Sequence, residues 1–312
     1  MATLNELINE KANRLSSIPD NLLSGIERAE LALLKDLQEL IKDLKTKDGF
    51  IIQSVENLNI SSEIIDKLKA LFYGADYTEA VATFALEFDE QTAIANEYLK
   101  KAFGTFEASE FALVSVSKSK ENAVRLLMEA LPEVELFNPV KSILEEAVSS
   151  GARYKDTFDA LMPYFESKDG GALKRFATTY AHDAFAISDR TYMSIVSDEL
   201  EAEWFKYSGG TVASTRPFCR ERHEEFFHYK EIEGWIDGKR VDGERTPDSN
   251  GDWAGKIEGT SKQTIYSYAG GWNCRHSIVP VSARIVPKTV LQRNIESGNY
   301  QPSAFEIREL EL

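Results

Sequence analysis

The side chains best suited to chemistry are two thiols and three imidazoles in the last third of the chain: Cys219, His223, His228, Cys274 and His276. Cys219 and His223 stand four positions apart, one face of a helix, whereas Cys274 and His276 stand two apart, one face of a strand. Two such pairs, Cys219/His223 and Cys274/His276, could converge from two elements into a tetrahedral Cys2His2 site. Zinc is the metal that such thiolate and imidazole donors select. Both pairs depart from the common spacings of zinc sites. The same residues also fit a plainer reading, with the cysteines as small buried hydrophobes and the histidines hydrogen-bonded or at the surface.

Catalytic patterns are weaker. His223 and His228 lie five apart, about 140° around a helix, so the pair fails the zinc-peptidase pattern. His223-x-Glu225 has the form of the zinc-deaminase His-x-Glu, but the Pro-Cys-x-x-Cys element of those enzymes is missing. A Cys/His nucleophile pair built on Cys219 or Cys274 lacks an identifiable oxyanion element. Phosphate-cradling glycine motifs are absent from the sequence. His182-Asp183 reads as a packing and capping detail of a helix rather than a dyad.

The elements that must position these residues change character along the chain. Residues 1–200 hold seven of the 18 glycines, no Trp and no Cys, and sum to −13, while residues 201–312 hold the other eleven glycines, all four Trp and both Cys, and sum to −2. The shift marks a boundary at 207–211, where Gly209-Gly210 punctuates the sequence. The first part predicts helices. One opens on Asp20 as N-cap, carries Ile26, Leu33, Leu37, Leu40, Ile41 and Leu44, and stops at Gly49. Another opens on the capping-box-like Asp76-Tyr77-Thr78-Glu79, and a third on Asn138-Pro139 with Gly151 past its end. A long helix over 172–200 carries Phe176, Tyr180, Ala184, Ile187, Ile195 and Val196 on an apolar face. Beyond it, strands are expected at 204–207, 263–268 and 277–286, short helices at 216–229 and 229–235, and a surface loop over 237–259. The fold class is therefore α+β: a helical N-terminal half, bundle or elongated arm, followed by a small α+β domain with a long insertion loop. The expected domains are 1–170 (helical), 171–200 (linking helix), 201–290 (α+β) and 291–312 (a C-terminal arm).

Composition excludes several classes. With 43% hydrophobic and 28% charged residues, the 312-residue chain has the make-up of a soluble globular protein. A formal charge of −15 argues against a protein whose main task is gripping phosphate backbone. No apolar run reaches membrane-span length, the opening MATLNELINEKANRL lacks a signal-like h-region, and two cysteines make no disulfide framework. Synthesis in the cytosol is expected. Against the acidic whole, Arg216, Arg220, Arg275, Arg284 and Lys288 gather cations around the cysteines. They would either contact nucleic acid or an acidic partner, or hydrogen-bond local carbonyls and carboxylates to hold the loops.

Several segments together carry a family likeness. Trp204-Phe205-Lys206-Tyr207-Ser208-Gly209-Gly210, Thr215-Arg216-Pro217-Phe218-Cys219, Ile232-Glu233-Gly234-Trp235 and Gly270-Gly271-Trp272-Asn273-Cys274-Arg275-His276-Ser277, followed by Val279-Pro280-Val281, resemble the C-terminal domain of phage minor head proteins of the Mu F-like head morphogenesis group. The resemblance covers about residues 200–290. Two departures stand out: Gly270-Gly271-Trp272 occupies the place of a Pro-x-His element, and His276 follows Arg275 where some relatives have a second Cys.

The motif residues carried over are Thr215, Arg216, Cys219, Asn273, Cys274 and Arg275, read as framework: Asn273 satisfying a turn, Arg275 clamping, the two Cys packed together. The resemblance implies a virion protein made in the bacterial cytoplasm. It would be built into the head in several copies, beside the portal or other neck proteins, without catalysis and without a membrane. An apolar stripe such as Leu33/Leu37/Leu40/Leu44 would serve either as a docking face or as internal core. The competing expectations are a nuclease- or toxin-like domain using His223 or His276 for acid–base work, and a zinc-stabilised module contacting DNA at the portal.

Overall fold

The computed structural model describes residues 3–238, 251–310 and 312. In chain order it runs α1 (Leu4–Leu40), β1 (Thr46–Lys47), β2 (Phe50–Ile51), α2 (Val55–Phe72), α3 (Ala75–Phe103), α4 (Glu110–Arg125), α5 (Asn138–Ser150), α6 (Tyr154–Phe165), α7 (Ala172–Glu199), β3 (Trp204–Gly209), α8 (Pro217–Arg222), β4 (Phe226–His228), α9 (Tyr229–Gly234), α10 (Ile265–Tyr268), β5 (His276–Val281), α11 (Lys288–Glu296) and α12 (Ala304–Glu309). The fold is α+β and rich in helix, with small antiparallel sheets. Among the described residues no helix is long and apolar enough to cross a membrane.

Two compact units interleave along the chain. One comprises Ile18–Leu86 and Glu121–Ala181; the other comprises Met1–Ser17, Glu87–Lys120 and His182–Leu312. They do not follow sequence order, because α1, α3, α4 and α7 each contribute residues to both.

The first, helical unit has an aliphatic and aromatic core. Leu33, Leu37 and Leu44 are buried in it, so the leucine stripe is internal packing and not a docking face. Phe72 lies 4.1 Å from Tyr77 and edge-on to Phe137 at 5.4 Å. Between α4 and α5 the chain stays helical through two π-helical turns, Leu126–Ala130 and Glu133–Phe137. Within the first, the Leu131 N–H bonds the Leu126 carbonyl five residues back. In that register residue 132 would serve the Leu127 carbonyl, but Pro132 has no N–H. The Tyr77 hydroxyl donates to Leu127 instead, at 2.5 Å. Asp48 (φ 52°) and Gly49 (φ 81°) form the left-handed turn between β1 and β2. The buried Glu30 carboxylate accepts from the backbone N–H groups of Leu173 (2.8 Å) and Lys174 (3.2 Å) in the first turn of α7. A Cβ on Gly171 would stand 2.4 Å from that carboxylate, so a larger residue there would displace the Glu30 side chain.

In the second unit β3 is central, antiparallel to β4 and β5, with Trp204 opposite both His228 and Val281 and Gly209 opposite His276. Phe205, Tyr207, Phe218, Phe227, Trp235 and Ile278 build one core, and Trp204, Val281, Val290, Leu291 and Tyr300 another. Lys11 and Asp189 form a buried ion pair, and Asp189 also accepts from Gln91 (3.0 Å) and Ser277 (3.1 Å). Proline suits β5 because that strand is an edge: the Pro280 carbonyl accepts from the Tyr98 hydroxyl at 2.6 Å.

Several local expectations are corrected. Asp20 does not open a helix, since α1 runs through Pro19 and buried Leu15, Ile18, Leu22 and Ile26 continue one face across it. Asp76 lies inside the first turn of α3, and Asn138 continues a helix already under way (φ −64°, ψ −45°). Gly151 does end α5 in the left-handed region (φ 66°). The segment 263–268 is helical at Ile265–Tyr268, because Ser261 and Thr264 exchange side-chain-to-backbone hydrogen bonds that start a turn. The strand expected over 277–286 stops at Val281, where Ser282 caps a 3-10 turn. Over 216–229 the helix stops at Arg222, since Phe226–His228 pairs with β3 and Tyr229 opens α9. The end of the tail forms α12, opened by a capping box on Ser303 and Glu306. Of the loop expected over 237–259, residues 239–250 lie outside the described residues.

Candidate functional site

The two cysteine-centred motifs meet. α8 delivers Cys219, the segment entering β5 delivers Cys274, and their sulfurs lie 3.7 Å apart as free thiols across 55 positions of chain. The His276 Nδ1 is 4.0 Å from the Cys274 sulfur. One donor atom from each of Cys219, Cys274 and His276 lies within 4.8 Å of the others, and all three residues are buried. His223 falls outside that group. α8 ends at Arg222, His223 turns extended (ψ 126°), and its ring packs edge-on against His276 at 5.4 Å. Of the four residues of the expected zinc set, three are thus brought together.

The sheet explains this placement. Pairing of β3 with β5 sets the Tyr207 ring face to face with His276, at 5.0 Å and 18°. The Tyr207 hydroxyl then donates to the Cys219 sulfur at 3.3 Å and lies 3.6 Å from that of Cys274. Gly270 closes the other side: a Cβ there would stand 2.3 Å from the Cys219 sulfur, 2.9 Å from that of Cys274 and 3.1 Å from the Tyr207 hydroxyl. The hydrogen bond from Cys219, with His276 and Arg190 beside it, holds Cys274 well below the ordinary thiol range. The same hydrogen bond, together with burial, pushes Cys219 up.

Arginines fasten the loops around this pair. Arg216 donates to the carbonyls of Gly270 (2.5 Å), Ala254 (3.1 Å) and Trp272, the local carbonyl-holding role expected of it. Among the described residues no hydrogen bond of the Arg275 guanidinium is found, and its backbone lies against Gly209. The clamp comes instead from α7, where buried Arg190 donates to the carbonyls of Cys274 (2.6 Å), Tyr268 (3.0 Å) and Ser267 (3.4 Å). Asn273 adopts the left-handed conformation (φ 55°) that its turn needs, and its N–H donates to Asp183 at 2.6 Å. Burial lifts the Asp183 carboxyl to about 6 in spite of that bond. Thr215 accepts from the Val212 N–H at 2.7 Å and ties the turn before α8.

His228 belongs elsewhere. Its Nδ1 caps α9 while Glu231 bonds back to its N–H at 2.9 Å, and burial pushes its imidazole down to about 4. Arg222 stacks between Phe218 (4.0 Å) and Trp235 (4.7 Å).

Arg190, Tyr207, Gly270 and Asp183 hold the site, yet none entered the sequence-derived set. The available signal was Asp183 and Arg190 seven apart, opposite charges on the same side of α7. Chemically, the site is a soft sulfur and nitrogen donor set enclosed by backbone, with no thiol or imidazole of the trio exposed as a nucleophile or base. Comparison of the chain with protein-family models, curated proteins and solved structures finds no match.

Proposed function

We propose that the protein is a non-catalytic structural component of a bacteriophage virion: a minor head protein of the portal or neck region, made in the host cytoplasm and present in several copies. One observation carries the reading. The segments resembling the Mu F-like head morphogenesis group, separate in sequence, converge on a single buried knot in which Cys219 meets Cys274 at 3.7 Å. Residues spent in this way on one another and on backbone carbonyls suit a framework. Arg216, Thr215 and Asn273 all fasten turns, and His276 is stacked beneath Tyr207. The charge of −15 favours protein partners over packaged DNA.

Quantitative mass spectrometry of purified particles tests the proposal. The chain should be present at a fixed ratio to the portal protein; detection only in infected lysate, never in particles, removes it. Cleavage of RNA or DNA by the purified chain, abolished by His223→Ala or His276→Ala, would replace it with the enzymatic reading.

A further inference from the structure

We propose that Cys219, Cys274 and His276 bind one zinc ion, as a structural centre that locks α8 to the start of β5. Three geometric observations carry this. Bonds of about 2.3 Å from zinc to sulfur, set at tetrahedral angles, separate two sulfurs by about 3.8 Å. The thiols already stand at 3.7 Å, far beyond the ~2.05 Å of a disulfide and at the edge length of that tetrahedron. The His276 ring supplies the third donor, its Nδ1 4.0 Å from the Cys274 sulfur. Finally, the space between the sulfurs is kept clear by Gly270, where any side chain would enter it.

Charge also balances. Each sulfur binds as thiolate and releases its proton to solvent, and two thiolates neutralise a divalent ion, so the loaded site buries no net charge. Tyr207, donating to the Cys219 sulfur, is the supporting hydrogen bond around the ligands, and Arg190 fixes the Cys274 carbonyl from behind. His223 stays outside the ligand set, its ring edge-on to His276 at 5.4 Å. The element pairing is unusual, a ligand on a six-residue helix and an i, i+2 pair at a strand entrance, which is why standard spacings do not register it.

The full-length chain, purified without a polyhistidine tag under reducing conditions, is analysed for metal and separately titrated with Co2+ alone. The expected result is about one zinc per chain surviving dialysis, and a thiolate-to-cobalt charge-transfer band on Co2+ addition. Cys219→Ser, Cys274→Ser and His276→Gln should each weaken Co2+ binding by roughly tenfold or more. His223→Ala should retain it. Because ligand variants can unfold, the spectrum of the folded wild-type chain decides. Absence of both zinc and the charge-transfer band in that chain overturns the proposal, as does a band undiminished in all three ligand variants. Loss of metal from folded His223→Ala contradicts the three-residue set.

Discussion

The helical unit and the cysteine knot hold their chain ends by different means. In the helical unit, most of the interior is Leu, Ile, Val and Phe, and polar groups enter singly: Glu30 on the N-terminus of α7, Tyr77 on the carbonyl that Pro132 leaves free. In the knot, short strands and six-residue helices cannot satisfy their own backbones, so buried arginines do it, with Arg190 alone serving three carbonyls. Long regular elements need little more than apolar burial, whereas short irregular ones need a dense set of directed hydrogen bonds. The two regions should therefore fail in different ways.

The largest effect is expected at Arg190. Arg190→Met keeps much of the volume but strands the carbonyls of Ser267, Tyr268 and Cys274, and should cost about 3–5 kcal/mol in urea unfolding. A loss below about 1 kcal/mol would erase the distinction drawn here. Leu37→Ala, at a fully buried position of the helical unit, should cost about 2–5 kcal/mol by opening a cavity, with no polar group left unpaired. A small apolar molecule that fills the cavity should restore part of that loss, and should do nothing for Arg190→Met.

The next effect is one of pH. Burial raises the Glu30 carboxyl from 4.5 to about 7, so folding takes up a proton in that window. Its contribution is fully present below pH 4.5 and declines as pH rises through 7, by about 3 kcal/mol in all. Glu30→Gln should flatten this part of the stability–pH curve; an unchanged slope would show that the carboxylate is solvated. Smallest is Tyr77→Phe, which leaves the Leu127 carbonyl unserved and should cost about 1–2 kcal/mol, read as a shift in urea midpoint without a change in slope.

The same contrast governs what the sequence made legible. Periodicity locates α7 almost to the residue and places Leu33, Leu37 and Ile26 in the core, because a long amphipathic helix repeats its signal every turn. It misplaces the start of α1, since Asp20 after Pro19 has the local chemistry of a cap while the apolar stripe upstream outweighs it. In the knot, motif order correctly pairs Cys219 with Cys274, but the residues that position them are hidden. Gly270 matters only for a Cβ it lacks, and Arg190 lies 84 positions from the carbonyl it holds. His223 failed to join its expected partner because the assumed i, i+4 relation needs His223 inside the helix, whereas α8 ends one residue earlier, at Arg222. The pairing of β4 with β3 claims the residues that follow.

The central claim is that this chemistry-bearing cluster is framework inside an assembled particle. A cryo-EM map of the intact virion tests it most directly. The account predicts density for the chain at a fixed copy number beside the portal, with the Cys219–Cys274 knot closed inside each copy and partner contacts made by other surfaces. Complete particles without the chain, or a knot opened onto nucleic acid, would contradict it.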